Sequence, residues 1–160
     1  MRQTAELENM ESVNGNVVRD IPSERAIIIK KMMQWCAYRS YRGTETSLED
    51  LRPLAANNHI HILNDFGQDV FTAHSLDEYI SFWQSTLEDT FIRWDVRIAS
   101  PIDLRLTSQM ASAVFTSELN GTTHENTCTI EKQAVTHVWE KISGDWLLVQ
   151  EHTSVQSALQ

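Results

Sequence analysis

A single carboxylate, Asp65, follows a short apolar run and is well placed for acid–base chemistry. The run from Ile60 to Leu63 has the composition of a strand, and Phe66-Gly67 after it predicts a turn. An aspartate at the rim of an apolar cavity binds its proton more tightly than one in water and could act as a general base. The alternative is that Asp65 only begins the turn, a position that aspartate favours.

A glutamate and a histidine, Glu151 and His152, stand side by side near the end of the chain. Adjacent residues of a strand point to opposite faces, so only one of the two can enter a cavity. Strict alternation places His152 on the face of Trp146 and Leu148, where it lines a pocket or packs at a subunit interface. We keep a catalytic and a structural role open for His152.

Metal and thiol chemistry have weaker support in the sequence. His59 and His61 alternate onto one face of a strand, but no third ligand follows at a recognisable spacing, so we predict no metal and no cofactor. Cys36 and Cys128 form no Cys-x-x-Cys pair. We therefore predict that both thiols are reduced.

Aromatic residues are frequent enough to enclose a flat apolar ligand, with five tryptophans and five phenylalanines in 160 residues. An ordinary aromatic core is the alternative explanation. The side chains that we predict to line a pocket are Trp35, Phe71, Trp83, Phe115, Thr136, Val138 and Leu148.

Cap and turn signals predict the elements that position these residues. A helix begins at Ser23 and ends near Gly43, and a short helix over residues 48–54 is made irregular by Pro53. A small hairpin over residues 59–71 precedes a helix that begins with the capping box Ser75-x-x-Glu78. That helix should bury Leu76, Tyr79, Ile80, Trp83 and Leu87.

Four to six antiparallel strands are predicted after residue 91. Asn120-Gly121 is predicted to be a two-residue hairpin turn, and Ser143-Gly144-Asp145 the turn of a closing hairpin over residues 134–154. Val138 and Trp139 alternate in that hairpin, so one of them faces away from the helices. An exposed Trp139 there would favour the association of two copies.

The closing hairpin resembles that of SnoaL-like domains in the NTF2-like superfamily, and it is also similar to the association domain of calcium/calmodulin-dependent protein kinase II. The shared pattern is Thr-x-Val-Trp, a glycine turn, then Trp-x-x-Val-x-x-His-x-Ser. The residues that carry it are Thr136, Val138, Trp139, Gly144, Trp146, Val149, His152 and Ser154.

This resemblance implies an α+β cone, in which a curved antiparallel sheet wraps around about three N-terminal helices and encloses a pocket. The domain would span residues 23–156 after a flexible arm over residues 1–22. Asn64-Asp65-Phe66-Gly67 looks like the segment that carries the base of ketosteroid-isomerase-like members. The second acid of those members falls near Thr136 here, so steroid isomerisation itself is doubtful.

Charge and hydropathy exclude several kinds of partner. The formal net charge is −9, which repels phosphate backbones, so we expect no nucleic-acid partner. No run approaches the roughly 18 apolar residues of a membrane span, and the N-terminus has no apolar signal region. We therefore expect a cytoplasmic protein without a membrane partner, and a homodimer or higher oligomer.

The sequence thus predicts a domain that binds a small apolar, polyketide-like or steroid-like molecule. Such a domain could also be a cofactor-free acid–base isomerase, dehydratase or cyclase, because this superfamily contains such enzymes. Asp65 would then take the proton, while Tyr38 or His152 would orient the substrate. The alternative is a non-catalytic oligomerisation or association module, which the same superfamily also contains.

Overall fold

The computed structural model of the chain describes residues 22–41 and 48–156. The predicted arm over residues 1–22 therefore lies outside the described residues, apart from residue 22. Three helices and a seven-stranded sheet make up the described part, which confirms the α+β class. In chain order they are α1 (residues 22–38), the 3-10 helix (Leu48–Leu54), β1 (His61–Asp65), β2 (Val70–Ala73), α2 (Leu76–Thr90), β3 (Phe91–Ile98), β4 (Asp103–Leu106), β5 (Met110–Thr123), β6 (Cys128–Ile142) and β7 (Asp145–Gln156).

The sheet is mixed, whereas the sequence predicted a wholly antiparallel one. Its order is β2-β1-β7-β6-β5-β3, and β4 pairs with β5. β1 runs parallel to β7, and the other pairs are antiparallel. The reason is that β7, the last strand, enters between β1 and β6. No hairpin links β1 to β7, so nothing requires them to run in opposite directions.

The first helix is shorter than predicted, because its last turn leads directly into contact with β3. The Ser40 hydroxyl accepts a hydrogen bond from Val96 N at 2.8 Å. Tyr41 and Trp94 then exchange two backbone hydrogen bonds of 2.8 Å. These contacts end α1 at residue 38 instead of near Gly43, which lies outside the described residues.

The second helix follows the sequence pattern closely. The Ser75 hydroxyl accepts a hydrogen bond from Glu78 N at 3.2 Å, as a capping box requires. The Glu78 carboxylate reaches back to His74 N at 3.0 Å, one residue before the cap. All the side chains predicted on its buried face are buried, which confirms the predicted packing of Leu76, Tyr79, Ile80, Trp83 and Leu87.

Asn120-Gly121 is not a turn, so that prediction was wrong. β5 continues through both residues, and the chain reverses at residues 124–127, where Asn126 has a φ of 62°. Gly121 serves a packing role instead. A Cβ atom built on it would overlap the Phe91 ring, so the ring occupies the space that a side chain would need.

The closing hairpin is confirmed, with positive φ at Ser143 (52°) and Gly144 (81°) as a tight two-residue turn requires. Trp139 is fully buried in the core, and its neighbour Val138 lies on the outer face of the sheet. The association surface expected around Trp139 is therefore wrong for that residue. None of the helices in the described residues is long and apolar enough to cross a membrane.

Candidate functional site

The site begins with a β-bulge in the closing hairpin. Val138 pairs with Gln150, but Trp139 pairs with Leu148, so Val149 is an extra residue of β7. An extra residue reverses which side chains face inward beyond it. Leu148 and Glu151 are therefore both buried, while His152 is exposed. The prediction that His152 shares a face with Trp146 and Leu148 was wrong for this reason.

The Glu151 carboxylate is fully buried and receives hydrogen bonds from both layers of the fold. Oε2 accepts one from Trp35 Nε1 of α1 at 2.8 Å and lies 2.8 Å from His137 Nε2 of β6. Oε1 accepts one from the Tyr79 hydroxyl of α2 at 3.4 Å. A buried carboxylate needs such partners, because leaving it unpaired away from water is very costly.

Arg39 supplies the opposite charge. Its Nη1 atom lies 4.0 Å from Glu151 Oε1 and donates a hydrogen bond to the Tyr79 hydroxyl at 3.1 Å. Its Nε atom donates to the Trp35 carbonyl at 3.2 Å. Because Arg39 is itself buried, Glu151 and Arg39 neutralise each other inside the core.

These contacts determine the protonation states of the cluster. Burial by itself would raise the pKa of Glu151, but the charge of Arg39 and the hydrogen bonds from His137 and Trp35 outweigh it and lower that pKa to about 2. Burial raises the pKa of the Tyr79 hydroxyl well above its ordinary value. Glu151 is therefore ionised near neutral pH, and Tyr79 keeps its proton.

An ionised Glu151 determines the tautomer of His137. A carboxylate only accepts hydrogen bonds, so His137 Nε2 must carry the proton that it shares with Glu151. In the neutral ring, Nδ1 is then an acceptor, and within the described residues it has no hydrogen-bond partner. An imidazole held by a carboxylate on one nitrogen, with a free lone pair on the other, is the arrangement of a general base.

Aromatic rings hold the cluster in position. Trp35 stacks on Tyr79, with ring centroids 5.5 Å apart and an interplanar angle of 17°. The His137 ring is enclosed by edge contacts with Trp35, Phe115 and Trp139. Trp35 lies in the last turn of α1 and Arg39 directly follows the helix, four residues later, so the end of α1 delivers both to the cluster.

A cavity of about 650 Å³ opens beside the cluster, between the end of α1, the 3-10 helix, α2 and β3. Arg39 is one of its lining residues, which connects the cavity to the network around Glu151. The others are Tyr38, Ser40, Tyr41, Leu48, Glu49, Ile80, Gln84, Glu88, Phe91, Ile92, Trp94 and His124. Its volume is within the usual range for small-molecule sites.

The predicted catalytic residues do not come together. Tyr38 lines the cavity. Asp65 is half-buried at the end of β1, and its Oδ1 atom accepts a hydrogen bond from Gly67 N at 2.8 Å, as in a turn that begins at aspartate. Its neighbour Asn64 is the side chain that enters the concave side of the sheet. His152 is exposed on the opposite face, and the catalytic roles of all three stay predictions.

The predicted pocket residues divide between the two faces of the sheet. Thr136 and Val138 lie on the outer face, opposite the buried His137. The remaining five contribute to the interior: Trp35, Phe71, Trp83, Phe115 and Leu148.

Both cysteines are free, as predicted, with Cys36 buried and Cys128 exposed. Within residues 22–41 and 48–156, no group of three or more metal-ligating side chains is arranged to hold an ion.

Sequence reasoning missed Glu151, His137 and Arg39 as members of one cluster. One signal was available, because Arg39 continues the helical spacing of the apolar stripe of α1 formed by Ile28, Met32 and Trp35. A charged residue on such a stripe requires a buried partner of opposite charge. The bulge that turns Glu151 inward had no recognisable signal in the sequence.

Comparison with known proteins identifies the domain type. A family model described as the SnoaL-like domain matches residues 45–158. No functionally curated protein sequence matches the chain. Among solved structures, the fold is similar to a hexachlorocyclohexane dehydrochlorinase, LinA type 2, with a TM-score of 0.71 and 12% identity over 86% of this chain and 88% of the other.

Two further structures show the same fold. An NTF2-like superfamily protein from Salmonella enterica has a TM-score of 0.65 and 13% identity over 92% of this chain and 96% of its own. A candidate calcium/calmodulin-dependent protein kinase II association domain from Xanthomonas campestris has a TM-score of 0.63 and 17% identity, covering 85% and 88%. At these identities the likeness concerns the fold alone.

Proposed function

This chain belongs to the SnoaL-like domain family, and we propose that it binds a small, neutral and largely apolar molecule in the cavity beside Arg39. The observation that carries the proposal is the cavity of about 650 Å³ with four aromatic residues, Tyr38, Tyr41, Phe91 and Trp94, among its lining. Such a site buries most of a flat ligand and orients it with a few polar groups.

The charges around the cavity favour a neutral ligand. Arg39 is the cationic side chain in its lining, but Glu151 already neutralises it. Glu49 is paired with Arg52, Glu88 adds negative charge, and the whole chain carries a net charge of −9. An anionic ligand would therefore meet repulsion without gaining an unpaired cation.

Nile red, a neutral and flat fluorescent molecule, tests this proposal. We expect saturable binding to the parent protein and loss of binding in Gln84→Trp, because an exposed helix position that lines the cavity can carry a larger side chain into it. Ser81→Trp, at an exposed position of the same helix outside the lining, is the matched control. Equal affinity of both variants would refute binding in this cavity.

A second function, cofactor-free acid–base catalysis on a bound molecule, is favoured by the His137–Glu151 pair. Glu151 lies 2.8 Å from His137 Nε2, and Nδ1 of the same ring has no hydrogen-bond partner among the described residues. The structurally similar protein is named a hexachlorocyclohexane dehydrochlorinase, and removal of hydrogen chloride needs a base to take the proton as chloride leaves. We propose an elimination or isomerisation of this proton-abstracting type.

Chloride release from hexachlorocyclohexane is the first assay for this activity. If His137 is the base, His137→Asn should abolish the release, while Asp65→Asn should leave it unchanged. The reverse result would establish the base predicted from the sequence, Asp65. Absence of release from the folded parent protein would remove this substrate from the proposal.

We also propose that two copies associate through the outer face of β5 and β6. Val114 is 54% exposed there and pairs with Thr136, beside the half-buried Val138. The β6 neighbours of Val114 are uncharged, although Asp103 of β4 pairs with it on the other side, and an uncharged patch in the middle of a sheet suits a second copy. Val114→Glu should convert a dimer to a monomer in analytical ultracentrifugation, whereas Val70→Glu on the edge strand β2 should not. An unchanged oligomer in Val114→Glu would refute this interface.

A further inference from the structure

Three buried polar atoms at one end of the concave face have no hydrogen-bond partner. They are Nδ2 and Oδ1 of Asn64 and Oγ1 of Thr153, within the part of the chain that the structure describes. Both side chains are almost completely excluded from solvent. Buried polar groups in folded proteins are nearly always paired, so each such atom requires an explanation.

Asn64 and Thr153 are neighbours across the parallel pair of β1 and β7. The same row of the sheet continues with Phe71 of β2 beside Asn64, and with Val135 of β6 beside Thr153. Two unpaired polar side chains thus interrupt an otherwise apolar row. Apolar residues at these two positions would pack in the row without the cost of buried, unpaired polar atoms.

On the same face of β7, the buried polar side chain of Glu151 does have hydrogen-bond partners. Glu151 lies two residues before Thr153 on β7 and is paired with Trp35, Tyr79 and His137. Among the described residues, the fold therefore supplies partners where a charge must be held and supplies none at Asn64 and Thr153. This contrast indicates that the partner of Asn64 and Thr153 comes from outside the described residues.

Half-buried aromatic rings give this end an apolar approach. Phe71 stacks on Phe82 of α2, with centroids 3.7 Å apart and planes at 7°. The ring centroid of Phe66, two residues after Asn64 in the chain, lies 6.0 Å from those of both Phe82 and Trp83. These phenylalanines are partly exposed, so the apolar body of a ligand could rest on them.

We propose that Asn64 and Thr153 form a binding site for a neutral ligand that carries a carboxamide or lactam group on an apolar body. The amide of Asn64 offers one acceptor and two donor hydrogens, and the hydroxyl of Thr153 can do either. A planar group with an adjacent donor and acceptor satisfies all three atoms. A carboxylate has no donor for Oδ1 and would lie near the ionised Glu151.

This site is independent of the cavity beside Arg39. Neither Asn64 nor Thr153 lines that cavity. A Gln84→Trp variant, which fills the cavity, should therefore bind an amide at the Asn64–Thr153 site with unchanged affinity. The two proposals can fail separately.

Benzamide is the probe for this site, and isothermal titration calorimetry is the measurement. We expect the parent protein to bind benzamide about tenfold more tightly than benzoate or toluene. Thr153→Val removes only the hydroxyl and should weaken benzamide binding about tenfold. Thr136→Val makes the same replacement on the outer face and should leave binding unchanged. Asn64→Leu should abolish binding without lowering the thermal unfolding temperature, because the Asn64 side chain has no hydrogen-bond partner among the described residues.

Several results would overturn the proposal. One is a parent protein that does not bind benzamide, and another is equal binding by Thr153→Val and Thr136→Val. A lower unfolding temperature for Asn64→Leu would mean that Asn64 has a structural partner. A crystal structure grown with benzamide that shows only ordered water on the three atoms would assign them to hydration. If Asn64→Leu does not fold, the comparison of the two valine variants decides.

Discussion

His137 Nε2 lies 2.8 Å from Glu151 Oε2 across the β6–β7 hairpin, and both side chains are fully buried. The same oxygen accepts a hydrogen bond from Trp35 Nε1 at 2.8 Å. Strands and helices thus converge on one carboxylate, which Arg39 neutralises. The stability of the fold and the proton chemistry of its interior therefore depend on the same group.

The first prediction concerns stability in acid. The pKa of Glu151 falls from an ordinary 4.5 to about 2 in the folded protein, so the unfolded chain binds its proton more readily. The resulting stabilisation, on the order of 3 kcal/mol, is complete above the unfolded pKa and is lost as pH falls towards the folded value. Urea unfolding followed by tryptophan fluorescence should show this loss between about pH 5 and 2.

Glu151→Gln removes the titrating group and is the comparison for that experiment. Its free energy of unfolding should be lower at neutral pH, because Arg39 loses its counter-charge, but it should fall less steeply in acid. Parallel pH profiles for the parent and Glu151→Gln would show that other carboxyl groups cause the acid sensitivity. If this variant does not fold, Arg39→Met/Glu151→Gln takes its place.

The second prediction concerns coupling between Arg39 and Glu151. Arg39→Met and Glu151→Gln should each cost about 3–5 kcal/mol, because each leaves one buried charge unpaired. The double variant should cost less than their sum by about 2 kcal/mol. Chemical denaturation of the four proteins measures this difference.

An exposed ion pair provides the control for this cycle. Arg97 Nη2 and Glu118 Oε2 lie 2.6 Å apart on the surface, where water screens their attraction. Arg97→Met and Glu118→Gln should therefore show no measurable coupling. Additive effects of the Arg39 and Glu151 variants would contradict the buried ion pair.

The third prediction tests the contact between Phe91 and Gly121. Gly121→Ala should destabilise the protein by about 1–3 kcal/mol, because the new methyl group and the Phe91 ring cannot occupy the same space. The same substitution in a Phe91→Ala background should cost much less. Thermal denaturation of the four proteins measures both costs, and equal costs would show that the ring does not limit this position.

The fourth prediction concerns the closing turn. Ser143 has a φ of 52°, a conformation that asparagine adopts more readily than serine. Ser143→Asn should therefore raise the free energy of unfolding by about 0.5 kcal/mol. Gly144→Ala, at a φ of 81°, should lower it by about 1 kcal/mol. A destabilised Ser143→Asn would mean that the serine makes a contact outside the turn.

Much of the architecture could be predicted from local patterns. The cap at Ser75, the buried face of α2 and the closing turn all involve residues close together in the chain. The Asn120-Gly121 prediction failed because a local turn signal cannot register the Phe91 ring that packs on this glycine. The site was predicted less well, and Tyr38 is the one expected catalytic residue that lines the cavity.

The sequence by itself determined most of the helices and strands and, for α2, which face is buried, because periodicity and cap chemistry depend on neighbouring residues. Only the tertiary structure decided that β1 runs parallel to β7 and that the bulge at Val149 turns Glu151 inward in place of His152. The physical reason is that strand register depends on pairing between distant segments, and one extra residue exchanges the two faces of a strand. The meeting of Arg39, Tyr79, His137 and Glu151 follows from that register.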